Sequence, residues 1–113
     1  MHTIIRSGEL TTAPNGTMKF EGEPYGSQIS MFVMSTAPGE GPDLHVHPYS
    51  ETWIVHAGSA RFTADGESIE AGPGDILVAG PNTVHGFKNI GTERLDIICI
   101  HASPRVIQEW ITE

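Results

Sequence analysis

The chain has 113 residues and a mass of 12.2 kDa, which is one domain with room for a modest core. Six basic against fourteen acidic residues leave a net charge of −8 at pH 7, and without a basic cluster this argues against a nucleic-acid partner and against anionic membranes. An apolar content of 38% excludes a disordered or collagen-like chain, and no apolar run approaches the ~20 residues of a membrane-spanning helix. The start, Met1-His2-Thr3-Ile4-Ile5-Arg6, lacks the basic and apolar regions of a secretory signal. The lone Cys99 allows no intrachain disulfide. Both features fit a cytoplasmic location. Thirteen Gly and eight Pro exceed the ~14 of average usage and point to many tight turns between short strands.

The first predicted strand covers 28–35. Ile29, Met31 and Val33 share one face and Phe32 and Met34 the other, so the strand is covered on both sides. The Pro- and Gly-rich stretch 37–43 is loop. A short strand over 44–47 stops at Pro48, and a β-rich run over 52–57 ends at Gly58. Strands at 60–64 and 68–70 flank the turn Asp65-Gly66. Two more are predicted at 75–79 and 84–88, separated by Gly80-Pro81-Asn82. The last and most apolar strand, 95–101, turns Leu95, Ile97, Cys99 and His101 to the core and Asp96 away from it. About eight short strands at this spacing indicate a sandwich or barrel. In the tail, Ser103 can cap a helix with Pro104 at its first position, and Val106, Ile107, Trp110 and Ile111 fall at helical spacing. A short C-terminal helix lying on the sheet is therefore expected. With no linker or internal repeat, residues 1–113 form a single domain.

Chemistry concentrates in the stretch from Gly39 to Gly58. His45 and His47, two apart in a strand, present two imidazoles to one face, and Glu51 opens the next strand after a short turn. Two His and a carboxylate form a standard facial set for divalent first-row metals. A later strand brings His85.

These residues resemble the cupins over 39–89. The first cupin motif runs Gly, five residues, His-x-His, three or four residues, Glu, six residues, Gly, and Gly39, His45, His47, Glu51 and Gly58 match every fixed position. The second runs Gly, five residues, Pro-x-Gly, two residues, His, three residues, Asn. Gly74, His85 and Asn89 match, while Gly80, Pro81 and Asn82 depart from its central turn. Asn tolerates a left-handed backbone second only to Gly, which keeps the turn. Chance alone would place the His-x-His, Glu and fourth His at these offsets in roughly one such chain in a thousand.

The resemblance implies an all-β, antiparallel jelly-roll barrel with metal ligands at its mouth: His45, His47, Glu51 and His85. One divalent transition metal (Fe, Mn, Ni, Co, Cu or Zn) suits this set, with two cis positions left for a substrate that chelates through oxygen. Trp53, Phe87, Tyr49 and Met31 are the expected substrate contacts, implying a small, mostly apolar ligand. His101, at the end of its apolar stripe, is the candidate catalytic acid or base; the alternative is a buried His bonded to a carbonyl. His56 is out of phase with Glu51 and should point away. Three functions fit: a metal-dependent dioxygenase or isomerase/cyclase, a non-catalytic binding or sensing cupin, and a barrel whose metal only stabilises the fold. A homodimer is expected, with segment 1–12 and the Trp110 helix as its contacts.

Overall fold

A computed structural model describes residues 1–111. In chain order its strands are β1 (Met18–Glu21), β2 (Ser30–Thr36), β3 (His45–Val46), β4 (Glu51–Ala57), β5 (Ala60–Ala64), β6 (Glu67–Ala71), β7 (Ile76–Ala79), β8 (His85–Asn89), β9 (Leu95–His101) and β10 (Glu109–Trp110). One 3-10 turn, Glu23–Tyr25, follows β1. Two five-stranded antiparallel sheets, ordered β1-β2-β9-β4-β7 and β10-β3-β8-β5-β6, make a jelly-roll barrel. Among the described residues no helix is long and apolar enough to cross a membrane.

The predicted strands at 60–64 and 95–101 are β5 and β9 with unchanged bounds. The C-terminal helix is not formed. Its apolar stripe has helical spacing, but the barrel binds the segment's backbone groups instead. Val106 N–H donates to Glu21 Oε2 (2.9 Å), Ile107 N–H to the Tyr49 hydroxyl (3.1 Å) and Ile111 N–H to the Leu44 carbonyl (3.0 Å). Glu109 and Trp110 instead pair with Val46 and His45. Ser103 Oγ does accept from Arg105 N–H at 3.2 Å, the bond an N-cap makes, yet no helical turn follows it.

Strict alternation along β4 and β9 builds the interior. Trp53 and Val55 on β4 and Leu95, Ile97 and Cys99 on β9 are buried. From the facing sheet Phe62 and Phe87 close against them, with ring centres 5.3 Å apart for Trp53–Phe62 and 5.2 Å for Phe62–Phe87. Burying each such ring contributes about 1.5–3 kcal/mol. The same alternation sets polar groups at one end of the barrel. Glu51 opens β4 opposite His101, which closes β9, while His45 faces His85 across β3 and β8.

The outer faces of the two sheets differ. On the β5-side sheet Glu70, Arg61 and Lys88 stand in one cross-strand row, and Ser68, Thr63 and Gly86 in the next, the usual polar exterior. On the other sheet the rows read Met31–Ile100–Thr52–Val78 and Val33–Ile98–Ile54–Ile76, apolar apart from one threonine.

Two motif positions have backbone reasons. Gly58 sits at φ +92°, and a Cβ there would lie 2.6 Å from the Arg94 carbonyl. Asn82 adopts φ 62°, so the altered turn is kept, and its N–H donates to the His47 carbonyl at 2.8 Å. Buried Asn89 is a structural knot: its amide donates to the Thr36 and Glu93 carbonyls (3.0 and 2.8 Å) and accepts from Gly91 N–H (2.9 Å). Asn89→Ala strands these partners and should lower unfolding free energy by about 2–4 kcal/mol. Urea denaturation measures this, and a loss below about 1 kcal/mol would show that water replaces the amide.

Candidate metal centre

His45, His47, Glu51 and His85 are all buried, and one ligand atom from each lies within 4.8 Å of the others. Each imidazole is oriented by its Nδ1. His45 Nδ1–H donates to the Asp43 carbonyl (2.6 Å), His47 Nδ1–H to Ile107 (2.7 Å) and His85 Nδ1–H to Thr83 (2.8 Å). A carbonyl can only accept, so all three rings carry hydrogen on Nδ1 and turn Nε2 inward, as the nitrogen that can offer a lone pair once it bears no proton. Glu51 Oε1 lies 2.9 Å from His47 Nε2 and 3.1 Å from His85 Nε2. Ligands about 2.1 Å from a common ion stand about 3 Å apart when cis, so this spacing fits one. His47 Nε2 is buried with no hydrogen-bond partner; Glu51 is close but off its bonding direction. An orphaned, inward-facing lone pair in such a place matches a ligand atom.

Electrostatics favour the ligand state. Burial pushes the Glu51 carboxyl up, but the imidazoles of His101, His47 and His85 around it outweigh burial and hold it well below the usual carboxylate range. Burial pushes His45 down to about 4, keeping it neutral. For His85, burial acts downward, but contact with Glu51 and the Thr83 carbonyl prevails and raises it above the ordinary imidazole value.

A cavity of about 280 Å³ opens onto this cluster. Trp53 and Phe87 line it, together with Phe32, Met34, Cys99 and His101. Asn15 and Gln108 stand at its polar rim and Trp110 beside His45, ring centres 5.1 Å apart. Met31 is not in the wall. Phe32 registers with Cys99, and Met31 with Ile100 on the outer face. Both faces of β2 are apolar, so alternation alone could not choose between them. Tyr49 does not line the cavity either. It stacks on His47 (5.0 Å, 7° between planes) and hydrogen-bonds His101 Nδ1 at 2.6 Å. The buried His101 also brings Nε2 to 3.4 Å from Glu51 Oε2. His56 is exposed, away from the cluster. The Ile107 carbonyl, which orients His47, carries no sequence signal because it is a main-chain group 60 residues away.

The model of the cupin domain matches residues 32–101. The chain belongs to the cupin family. A conserved protein with a double-stranded beta-helix domain from Klebsiella pneumoniae is 28% identical, with a TM-score of 0.69 and 76% of each chain covered. Oxalate decarboxylase from Bacillus subtilis, described with Mn(II) centres, is 22% identical at a TM-score of 0.75, covering 84% of this cupin and 27% of that chain. Mannose-1-phosphate guanylyltransferase ManC from Salmonella typhimurium is 30% identical over 81 residues, 71% of this cupin, which spans only 17% of that enzyme's length.

A divalent ion needs the lone pair of His85 Nε2. The raised pKa of His85 means that binding near neutral pH displaces a proton, whereas His45 is already free of one. Affinity for Zn(II) or Mn(II) should therefore rise from pH 6 to pH 8, with proton release largest at the acid end. Calorimetry in buffers of different ionisation enthalpy reads both quantities. Affinity and proton release that do not change over this range would exclude the assignment.

Proposed function

We propose that this cupin is a metal-dependent enzyme acting on a small, partly apolar molecule that chelates a divalent ion through oxygen, as a dioxygenase or an isomerase/cyclase. The observation that carries this reading is the convergence of three imidazole Nε2 atoms and the Glu51 carboxylate at the base of an apolar cavity that also holds His101. His45, His47, Glu51 and His85 would hold the ion, which supplies Lewis acidity to the substrate oxygens and, for a redox-active metal, a route for electrons to O2. Manganese, named for the Bacillus subtilis enzyme, suits the donor set, as do iron, nickel, cobalt, copper and zinc.

His101 is the proton-transfer group. Ile107 N–H donates to the Tyr49 oxygen, which leaves the Tyr49 hydroxyl hydrogen for His101 Nδ1. His101 then carries its own hydrogen on Nε2, facing Glu51 Oε2 and the cavity. Phe32 meets the His101 ring edge-on, with centres 5.4 Å apart, and fixes its plane. Trp53, Phe87 and Met34 exclude water from the space in front of it.

The cavity also limits the substrate. Arg6, Lys19, Arg61, Lys88, Arg94 and Arg105 all lie outside its lining. A divalent ion on three neutral imidazoles and Glu51 leaves the loaded site at only +1, and the lining adds no side-chain cation for the second charge of a dianion such as oxalate, whose desolvation is costly. An uncharged or singly charged chelator of about one ring fits better.

Cobalt(II)-loaded protein, titrated with catechol or oxalate and followed by its visible absorption, tests this. Catechol should form the ternary complex at least about tenfold more tightly; equal or tighter oxalate binding would reject the reading. Oxygen uptake by iron(II)-loaded protein with catechol separates the oxygenase branch from the isomerase branch. With a turned-over substrate, His101→Ala should slow the reaction by about 10²–10⁴ at unchanged metal content. Loss of the metal as well would place His101 among the ligands or in the fold, and the proton-transfer role would fail.

A further inference from the structure

We infer that Glu21 is a positioning residue for the metal centre: through the C-terminal segment it keeps the Ile107 carbonyl on His47 Nδ1–H, and so it governs how firmly the centre grips an ion. The inference rests on His47 being a ligand. Alone among the three imidazoles, His47 takes its orienting carbonyl from a distant part of the chain, Ile107 at 2.7 Å. His45 and His85 use Asp43 and Thr83, each two residues before its ring. Whatever fixes Ile107 therefore fixes His47.

Apolar burial does little to fix it. Ile107 and Trp110 are half-exposed, and β10 pairs only Glu109 with Val46 and Trp110 with His45. The grip comes from the end of β1 and the turn after it. Glu21 Oε2 accepts from Val106 N–H at 2.9 Å, one residue before Ile107, and Glu23 N–H donates to the Pro104 carbonyl at 3.0 Å. The bond to Glu21 is charge-assisted, which makes it roughly twice as strong as one between neutral groups. Glu21 Oε1 lies 3.6 Å from Lys19 Nζ, so the two oxygens have separate partners. Val106 N–H is the foremost contact holding the Glu21 carboxyl below the usual carboxylate range, ahead of Lys19 and Arg105. The Arg105–Glu23 ion pair (3.2 Å) is exposed on both sides and contributes little. Tyr49 also holds the Ile107 N–H, but it stacks on His47 and bonds His101 as well. Glu21 reaches the centre by the tail alone. The same stretch carries Gln108 and Trp110 into the cavity wall, so its release opens the mouth as it frees His47 Nδ1. The dependence runs both ways: an ion on His47 favours the ring orientation that Ile107 stabilises, and tightens the tail by the factor by which the tail tightens the ion.

Two measurements on the full chain test this: Zn(II) affinity, read by competition with a chromophoric chelator, and tryptic cleavage after the exposed Arg105, read by mass spectrometry. Glu21→Ala should weaken Zn(II) binding by at least about fivefold, short of the largest losses seen when a group touching the ligand itself is removed. It should speed the cut by a similar factor while keeping the wild-type circular dichroism. Glu21→Gln still offers an oxygen to Val106 N–H and should recover most of both. Glu23→Gln removes only the exposed ion pair and should change the affinity by less than about twofold. In the wild type, saturating Zn(II) should slow the cut after Arg105 by at least about fivefold. A folded Glu21→Ala variant that binds Zn(II) as the wild type does overturns the inference. So does an equal loss in Glu23→Gln, or a cut in the wild type whose rate Zn(II) leaves unchanged, a result that needs no variant. A wild type that binds no Zn(II) rejects the metal centre and this inference with it; normal wild-type binding with an unaffected Glu21→Ala rejects this inference alone.

Discussion

The structure of the site depends on three hydrogen bonds from imidazole Nδ1–H to main-chain carbonyls. Two are local: Asp43 and Thr83 each stand two residues before the ring they orient. The strand entries at His45 and His85 therefore bring their own orienting groups. The third is remote, because Ile107 reaches His47 from the C-terminal segment. With each Nδ1–H engaged, the ring has one tautomer and one nitrogen left to offer. A helix over that segment would have drawn the Ile107 carbonyl into its own ladder. The extended tail and the orientation of His47 are thus one arrangement.

Around this centre the barrel separates two kinds of buried polar group. Asn89 and the three Nδ1–H groups are satisfied within the protein. His47 Nε2 is not, and it lies where the three rings and the carboxylate converge. In a well-packed interior an unpaired polar atom costs free energy, and this one sits among groups whose combined donor set is that of a metal site. Tyr49 joins the two layers of the centre, stacked on His47 and bonded to His101.

Much of this was legible from residue spacing. His45, His47, Glu51 and His85 were singled out by offsets that follow from strand alternation and short turns, and the structure brings all four together. The inward stripe of Leu95, Ile97, Cys99 and His101 was equally readable, since Asp96 breaks the apolar run. Legibility ended where patterning was two-sided or where the determining group was main chain. Both faces of β2 are apolar, so alternation does not tell Met31 apart from the wall that Phe32 and Met34 form. The tail has helical spacing, but spacing does not reveal that Glu21, Tyr49 and Leu44 capture its N–H groups. The strand β1 carries only four residues, too few for a period to show.

The ligand side chains do not come from one layer of the barrel. Glu51 opens a strand of one sheet, while His45 and His85 face each other in the other sheet. A cation bonded to all of them is a clasp between the layers, and its binding energy becomes cohesion at that end of the molecule. With the ion bound, the protein would be clamped at the rim; without it, that end is held by the imidazole–carboxylate contacts and by Tyr49.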